Sequence, residues 1–397
     1  MNTLTFKTGR LALVGACLLV LAACSSTPDA PADKEDERAS GQTSAVVDQR
    51  WNFLLLGTRE RLDFDERPYF RIGDDGRVSG VEALSDGKPV TYEAPIVIDA
   101  GGPLSIVQDL ADLSDGTFDT NVAYSQFSSA YREIVTVEEP VEWRDALVLK
   151  PTERSAGYLW YFPRTPTEIN VGVGFQMNEQ PMKLLRALRE DMRSREELQG
   201  ATVEDKLGGA LPTRRPYDSA VADGFMAAGD AAAHVNPTTG GGIAGAAYAG
   251  QYAGEQAIEA LEDGNVYEEA LWHYNERVMD HFGSRYAALD VYNIFTTAYD
   301  VDELTGLLAR LPMHSISEAL YSGSADLGWG LKIKTLLKSF GHWQTIYDLY
   351  RAKHRADELL DHYESYPDSP DGLPAWQDRR DELLETVYET TGADKKY

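Results

Sequence analysis

Residues 225–260 read FMAAGDAAAHVNPTTGGGIAGAAYAGQYAGEQAIEA. The stretch opens on Phe225-Met226-Ala227-Ala228, a short apolar run with the length of a buried strand. It turns at Gly229-Asp230, passes Asn236-Pro237 and three successive glycines, Gly240, Gly241 and Gly242, and enters a run dense in Ala and Gly that predicts a helix. A strand, a Gly-rich turn and a helix N-terminus together make a site for an anion or a dipole, because backbone N–H groups and the positive end of the helix dipole converge there. A carboxylate just past the strand, Asp230, can accept hydrogen bonds from sugar or polyol hydroxyls, or cap the next helix. The glycines let backbone approach a flat or phosphorylated ligand, or serve the turn alone. Ala244, Gly245, Ala246, Ala247, Ala249, Gly250 and Ala253 predict a helix that packs closely against its sheet.

The chain on the N-terminal side of this stretch is rich in strand signals. Asn52-Phe53-Leu54-Leu55-Leu56 has the character of a buried strand, and Tyr69 to Ile98 reads as a β-meander with turns at Gly73-Asp74-Asp75-Gly76 and Asp86-Gly87-Lys88. Pro95 to Ala100 is a continuous apolar strand running into Gly101-Gly102-Pro103, with a helix expected through Leu110. Strands are then expected at Asn121–Tyr124, Tyr131–Val137 and Ala146–Leu149. Gly157 to Gln176, GYLWYFPRTPTEINVGVGFQ, reads as a hairpin around Arg164-Thr165-Pro166-Thr167. The period of two puts Tyr158, Trp160 and Phe162 on one face, either as core packing or as the wall of a large apolar pocket. Leu184, Leu185, Leu188 and Met192 mark an amphipathic helix over 181–196, and Leu207 to Pro212 is a strand or a turn. Beyond Gly264 the pattern is almost wholly helical.

Bulk properties narrow the function. The 397 residues suffice for two or three domains. With 37 Lys and Arg against 64 Asp and Glu, the formal charge is −27, a surface suited to high salt that repels nucleic acid and anionic lipid over most of its area. The two cysteines, Cys17 and Cys24, both lie near the N-terminus, which excludes a disulfide framework, a thiolate zinc site and a catalytic thiol in the folded body. Lys7 and Arg10 precede an apolar run, Leu11 to Ala23, shorter than the roughly 20 residues of a membrane span. Leu21-Ala22-Ala23-Cys24 has the form of a lipobox, with Cys24 the lipidated residue; a mis-assigned start, a fused leader and an uncleaved anchor are the alternatives. Residues 25–45 carry almost no large apolar group and read as a solvated linker.

The motif GDAAAHVNPTTGGGI, Gly229 to Ile243, resembles the second FAD-binding motif of the flavoprotein monooxygenase-like superfamily, most closely its geranylgeranyl reductase branch. By that resemblance Gly229 is a cofactor-binding residue and Asp230 binds the ribityl chain of FAD. Pro237, Gly240, Gly241, Gly242 and Ile243, in the loop and at the helix N-terminus, lie against the isoalloxazine. A second motif of the branch, an aromatic-x-Trp-x-Phe-Pro segment followed after seven or eight residues by Gly-x-Gly, is matched by Tyr158, Trp160, Phe162, Pro163, Gly172 and Gly174. In the family this segment lines an isoprenoid cavity. Val97 to Gly102 is similar to the family's strand before the flavin, with Gly101 where a polar residue is usual. The expected Gly-x-Gly-x-x-Gly unit for the ADP half of FAD has no match, nor does the family's N-terminal cysteine, so the resemblance implies weak or lost FAD binding.

The resemblance therefore implies an α/β (α+β) chain. Residues 1–24 form a leader, 25–48 a disordered linker, 49–105 with 205–264 an incomplete FAD-binding domain, 106–204 an antiparallel substrate-binding sheet and 265–397 a C-terminal helical region. The implied activity is reduction of C=C bonds in geranylgeranyl groups of an archaeal-type lipid, from an unidentified electron donor. The sequence names no proton donor: Tyr158 and His234 are candidates by side-chain chemistry only, and His234 reads equally as a loop residue bonded to backbone. The alternatives are a non-catalytic, membrane-tethered lipid-binding protein and a flavin monooxygenase or halogenase acting on an aromatic substrate. A working reductase sits at the cytoplasmic face of a membrane; a processed lipobox anchors the chain outside. Between Asp326 and Asp348, Lys332, Lys334 and Lys338 interleave with Leu331, Ile333, Leu336, Leu337, Phe340 and Trp343, either as a helix lying on a membrane surface or as one packed on the core.

Overall fold

The computed structural model describes residues 52–55, 62–63, 69–73, 75–85, 88–103, 108, 113, 116–120, 122–123, 126–152, 157–175, 181–299, 303 and 343–395. The lipobox with Cys24, the linker, the helix expected after Pro103 apart from Gln108, and the lysine-bearing stretch up to His342 lie outside them.

The run that opens the deciding stretch is a strand buried along its whole length. Strands β1 (Asn52–Leu55), β2 (Leu62–Asp63), β3 (Tyr69–Ile72), β4 (Val78–Ser85), β5 (Lys88–Glu93) and β6 (Val97–Asp99) precede the sheet domain. Strands β3, β4 and β5 form the antiparallel meander. Val97, Ile98 and Asp99 are buried because β6 lies inside a second sheet.

The antiparallel domain contains β7 (Ser128–Thr136), β8 (Val148–Pro151), β9 (Gly157–Pro163), β10 (Glu168–Phe175), helix α1 (Pro181–Arg193) and β11 (Thr202–Leu211), with strand order β11-β7-β10-β9-β8. Two expectations are corrected. Val122 and Ala123 form no strand, and Val122 instead packs as an irregular segment into the main core. The sheet also continues past the expected boundary at residue 205, because β11 pairs with β7 as far as Leu211 opposite Ser128.

Strands β12 (Val221–Ala222) and β13 (Phe225–Ala227) complete the second sheet, in the order β12-β13-β6-β1-β2. Strand β13 runs parallel to β6, so the two strand ends preceding Gly101 and Gly229 emerge side by side. Helix α2 (Ile243–Asp263) follows and buries Gly245, Ala249, Ala253, Ala257 and Ala260. Its small residues are not all packing residues: Ala244, Ala247 and Gly250 face solvent.

The C-terminal region is helical, as expected. Helices α3 (Glu268–Leu271) and α4 (His273–Val278) lead through a π-helical turn, Met279–Gly283, into α5 (Ser284–Thr297), with α6 (Trp343–Tyr363) and α7 (Leu373–Thr391) completing it. Buried charges fasten this region to the segment before β12. The Arg214 Nε donates to Asp290 at 2.8 Å, and Arg380 pairs with the fully buried Asp218. Removing one member of such a pair strands a buried charge, which costs on the order of 3–5 kcal/mol.

Candidate functional site

The turn after β13 is built on strained backbone. Gly229 has φ 68°, and Ala233 has φ 55°, a left-handed conformation that costs a residue with a Cβ on the order of 1 kcal/mol or more. The Gly229 N–H donates to His234 Nδ1 at 3.2 Å, which fixes the His234 proton on Nε2. The ring is buried, meets Phe282 edge-on at 5.3 Å between centroids, and burial pulls its pKa down to about 3. His234 is therefore a buried ring bonded to the backbone of its own turn. Its carbonyl explains Gly245: a Cβ there would stand 2.4 Å from the His234 oxygen.

Asn236 organises the loop that follows. Its Oδ1 accepts from Thr238 N at 3.0 Å, Thr238 Oγ1 at 2.7 Å and Thr239 N at 3.2 Å. Its backbone N–H donates to the Gly241 carbonyl and its carbonyl accepts from Gly240 N, which closes the loop on itself. Gly240 has φ 68° and lies against Leu211 of β11. Gly242 caps α2, and a Cβ on it would come within 3.0 Å of Asp230 Oδ1.

Asp230 thus lies beside the glycines. It caps no helix, and no hydrogen bond to its carboxylate occurs among the described residues. Burial pushes its pKa up. A half-buried carboxylate at a helix N-terminus, with no donor of its own, suits a ligand rich in hydroxyls. Ile243, next in line, is 91% exposed, an apolar side chain left standing beside this turn.

The second motif faces the first. On β9, Leu159 and Tyr161 point into a sealed core with Val171, Val173, Leu184 and Leu188, whereas Tyr158, Trp160 and Phe162 stand half-exposed on the other face. These three form a continuous row, with ring centroids 5.8 Å and 6.3 Å apart. The Gly-x-Gly pair is its bed. Gly172 lies opposite Trp160 and Gly174 opposite Tyr158, and a Cβ on Gly172 would sit 2.1 Å from the indole ring. Asn170 Oδ1 holds the Trp160 Nε1–H at 3.1 Å. The Tyr158 hydroxyl then reaches across to donate to the Thr239 carbonyl at 2.7 Å, joining the aromatic row to the glycine loop.

Sequence reasoning passed over several residues that make this arrangement. Gln108 Nε2 donates at 2.8 Å both to Asp99 Oδ2 and to the Ala231 carbonyl, tying the end of β6 to the turn after β13. Asp99 Oδ1 accepts from Gly101 N at 2.8 Å, so the glycine at the family's polar position closes a local turn. Asn236 carried a signal, because Asn before Pro-Thr-Thr is a turn former; Gln108 carried none. Among the described residues no cluster of His, Cys, Asp or Glu could hold a metal ion, and no helix is long and apolar enough to cross a membrane.

A parallel strand pair ending in two turns beside an Ala/Gly-rich helix, joined to an antiparallel sheet, is an architecture with solved counterparts. A geranylgeranyl bacteriochlorophyll reductase-like protein from Thermoplasma acidophilum shares the fold, with a TM-score of 0.53 and 22% identity over 71% of this chain and 68% of that one. In sequence, the digeranylgeranylglycerophospholipid reductase of Sulfolobus acidocaldarius is 26% identical over 337 residues, 79% of this chain and 71% of that protein. Digeranylgeranylglycerophospholipid reductase 1 of Methanococcoides burtonii is 29% identical over 269 residues, 66% of this chain and 64% of that protein. No family model matches. In sequence and in fold the chain is similar to geranylgeranyl reductases.

Proposed function

We propose that this protein is an FAD-dependent reductase that saturates C=C bonds of geranylgeranyl groups on a glycerophospholipid. The observation that carries the reading is the hydrogen bond from Tyr158 to Thr239, which sets an open aromatic wall directly against a glycine loop beside Asp230, a carboxylate with no hydrogen-bond donor among the described residues. The names of the relatives point to the same lipid class.

The residues present fit the ribityl and ring half of a flavin. Asp230 would accept from the ribityl hydroxyls, and Gly240, Gly241 and Gly242 with Ile243 would admit the ring. A bound, reduced flavin supplies the hydride that alkene reduction requires. The chain supplies the rest. Tyr158, Trp160 and Phe162 offer a prenyl chain a large apolar face with few polar atoms, orienting it and displacing water. Tyr158 carries a hydroxyl within this wall, whereas His234 is buried away from it.

Reconstitution of the purified protein with FAD in high salt tests the reading. The expected outcome is a bound-flavin spectrum, bleached by dithionite, and a gain of two mass units per double bond reduced in a geranylgeranyl lipid. Retention of lipid binding with no flavin uptake would refute it in favour of a lipid-binding protein without catalysis.

A further inference from the structure

Tyr158 belongs to both halves of the site. Its ring ends the aromatic row, 5.8 Å from Trp160, and its hydroxyl is bonded to a carbonyl 81 residues away in the glycine loop. The loop end of that bond is well defined. Asn236 Oδ1 gathers the N–H groups of Thr238 and Thr239, and Gly240 follows in a left-handed conformation against Leu211 of the same sheet. The ring end is equally placed, because Gly174 lies opposite Tyr158 and Gly172 lets Trp160 lie flat beside it.

We propose that the Tyr158–Thr239 hydrogen bond couples the two binding events, so that a polyprenyl chain on the aromatic wall and FAD at the glycine loop each tighten the binding of the other. The proposal rests on the reading under Proposed function. The two states are the loop docked on Tyr158 and the loop released from it. A prenyl chain packed on Trp160 holds the Tyr158 ring in its row, which favours the docked loop. A ring lying on Gly240 to Gly242 needs that same loop in place. Whichever ligand binds first orders a contact the second then uses, and linkage requires the effect to be equal in both directions. One net hydrogen bond sets the scale at about fivefold in affinity.

Calorimetric titration tests this with FAD and geranylgeraniol as probes. In the wild-type protein, saturating geranylgeraniol should tighten FAD binding about fivefold, and saturating FAD should tighten geranylgeraniol equally. In Tyr158→Phe, whatever its affinity for each probe alone, neither probe should change the affinity for the other. Coupling that survives in Tyr158→Phe, or is absent from the wild type, overturns the proposal. A second measurement needs no flavin. Geranylgeraniol should slow amide exchange of residues 238–242 in the wild type and leave it unchanged in Tyr158→Phe. A lipid-bound wild type whose loop exchanges as before overturns the coupling. A wild type that takes up lipid and slows its loop but never binds FAD overturns the cofactor reading instead.

Discussion

Strand β9 has two faces built from alternate residues, and they are finished in opposite ways. Behind Leu159 and Tyr161 the sheet is closed by helix α1, and the polar tips are consumed. Asp191 accepts from Lys150, from the Tyr161 hydroxyl and, at 3.0 Å, from Arg195, whose guanidinium also lies 4.1 Å over the Tyr161 ring. Burial alone would raise the Asp191 pKa, but these donors outweigh it and hold the carboxyl below its ordinary range. In front, Tyr158, Trp160 and Phe162 have no helix over them among the described residues; glycines on β10 flatten the surface beneath the indole. Apolar composition is shared by both faces. What separates the two faces is cover: α1 seals Leu159 and Tyr161, whereas the rings of Tyr158, Trp160 and Phe162 stand half-exposed.

Two substitutions break the comparison from opposite sides. Asp191→Ala removes the acceptor shared by three donors on the closed face, and should cost about 3 kcal/mol in urea unfolding while the folded fraction keeps its affinity for a prenyl lipid. Acid should act in the same direction. The depressed pKa contributes stability above the ordinary carboxylate range, and that stability is lost as pH falls through the lower, folded-state value. Gly172→Val is the counterpart on the open face. Its Cβ would collide with the Trp160 ring, so the indole must leave the sheet at a cost of about 2 kcal/mol. Lipid binding should fall far more than stability does, with tryptophan emission shifting red. A Gly172→Val protein with wild-type lipid affinity would show that the aromatic row is not the wall.

Much of this was legible because it is local. The strand, turn and helix of residues 225–263 follow from composition, and the hairpin register follows from alternation around Arg164 to Thr167. Which face of β9 is open was not legible, since Leu159 and Tyr161 are as apolar as their neighbours and only α1, some twenty residues on, decides between them. Gln108 and the Arg214–Asp290 pair were invisible for the same reason. Their partners lie 123 and 76 residues away, and a sequence pattern carries no record of such contacts. The sheet runs past the expected 204/205 boundary because Leu207 to Pro212 reads equally as a strand or a turn, and only the pairing with β7, with Gly208 packed beside Tyr131, makes it strand as far as Leu211.

The same contrast recurs within one turn, between His234 and Asp230. His234 is buried and hydrogen-bonded; Asp230 is partly buried and has no hydrogen-bond donor among the described residues. Protonating His234 is opposed by burial, so its folded pKa of about 3 lies below the ordinary 6.5. The neutral ring therefore contributes stability that is complete above 6.5 and is lost as pH falls through that window. His234→Gln keeps an acceptor for Gly229 N–H but cannot take a proton. It should flatten the loss of stability below pH 6.5 by about 1.4 kcal/mol per pH unit, read from denaturant melts at several pH values. Asp230→Asn should have the smallest effect on folding and the opposite sign. Burial raises the Asp230 pKa, so the protonated form folds more favourably and stability is lost as pH rises through the folded value; at neutral pH an uncharged side chain relieves that strain. The melting temperature of the ligand-free variant should rise by about 2 °C, the scale of a change on the order of 1 kcal/mol in a large domain. FAD uptake should be lost at the same time, because the amide replaces a carboxylate acceptor for the ribityl hydroxyls. A variant destabilised at neutral pH, or one that still takes up FAD, would mean that the carboxylate serves the fold and that the open side of this turn is not a ligand site.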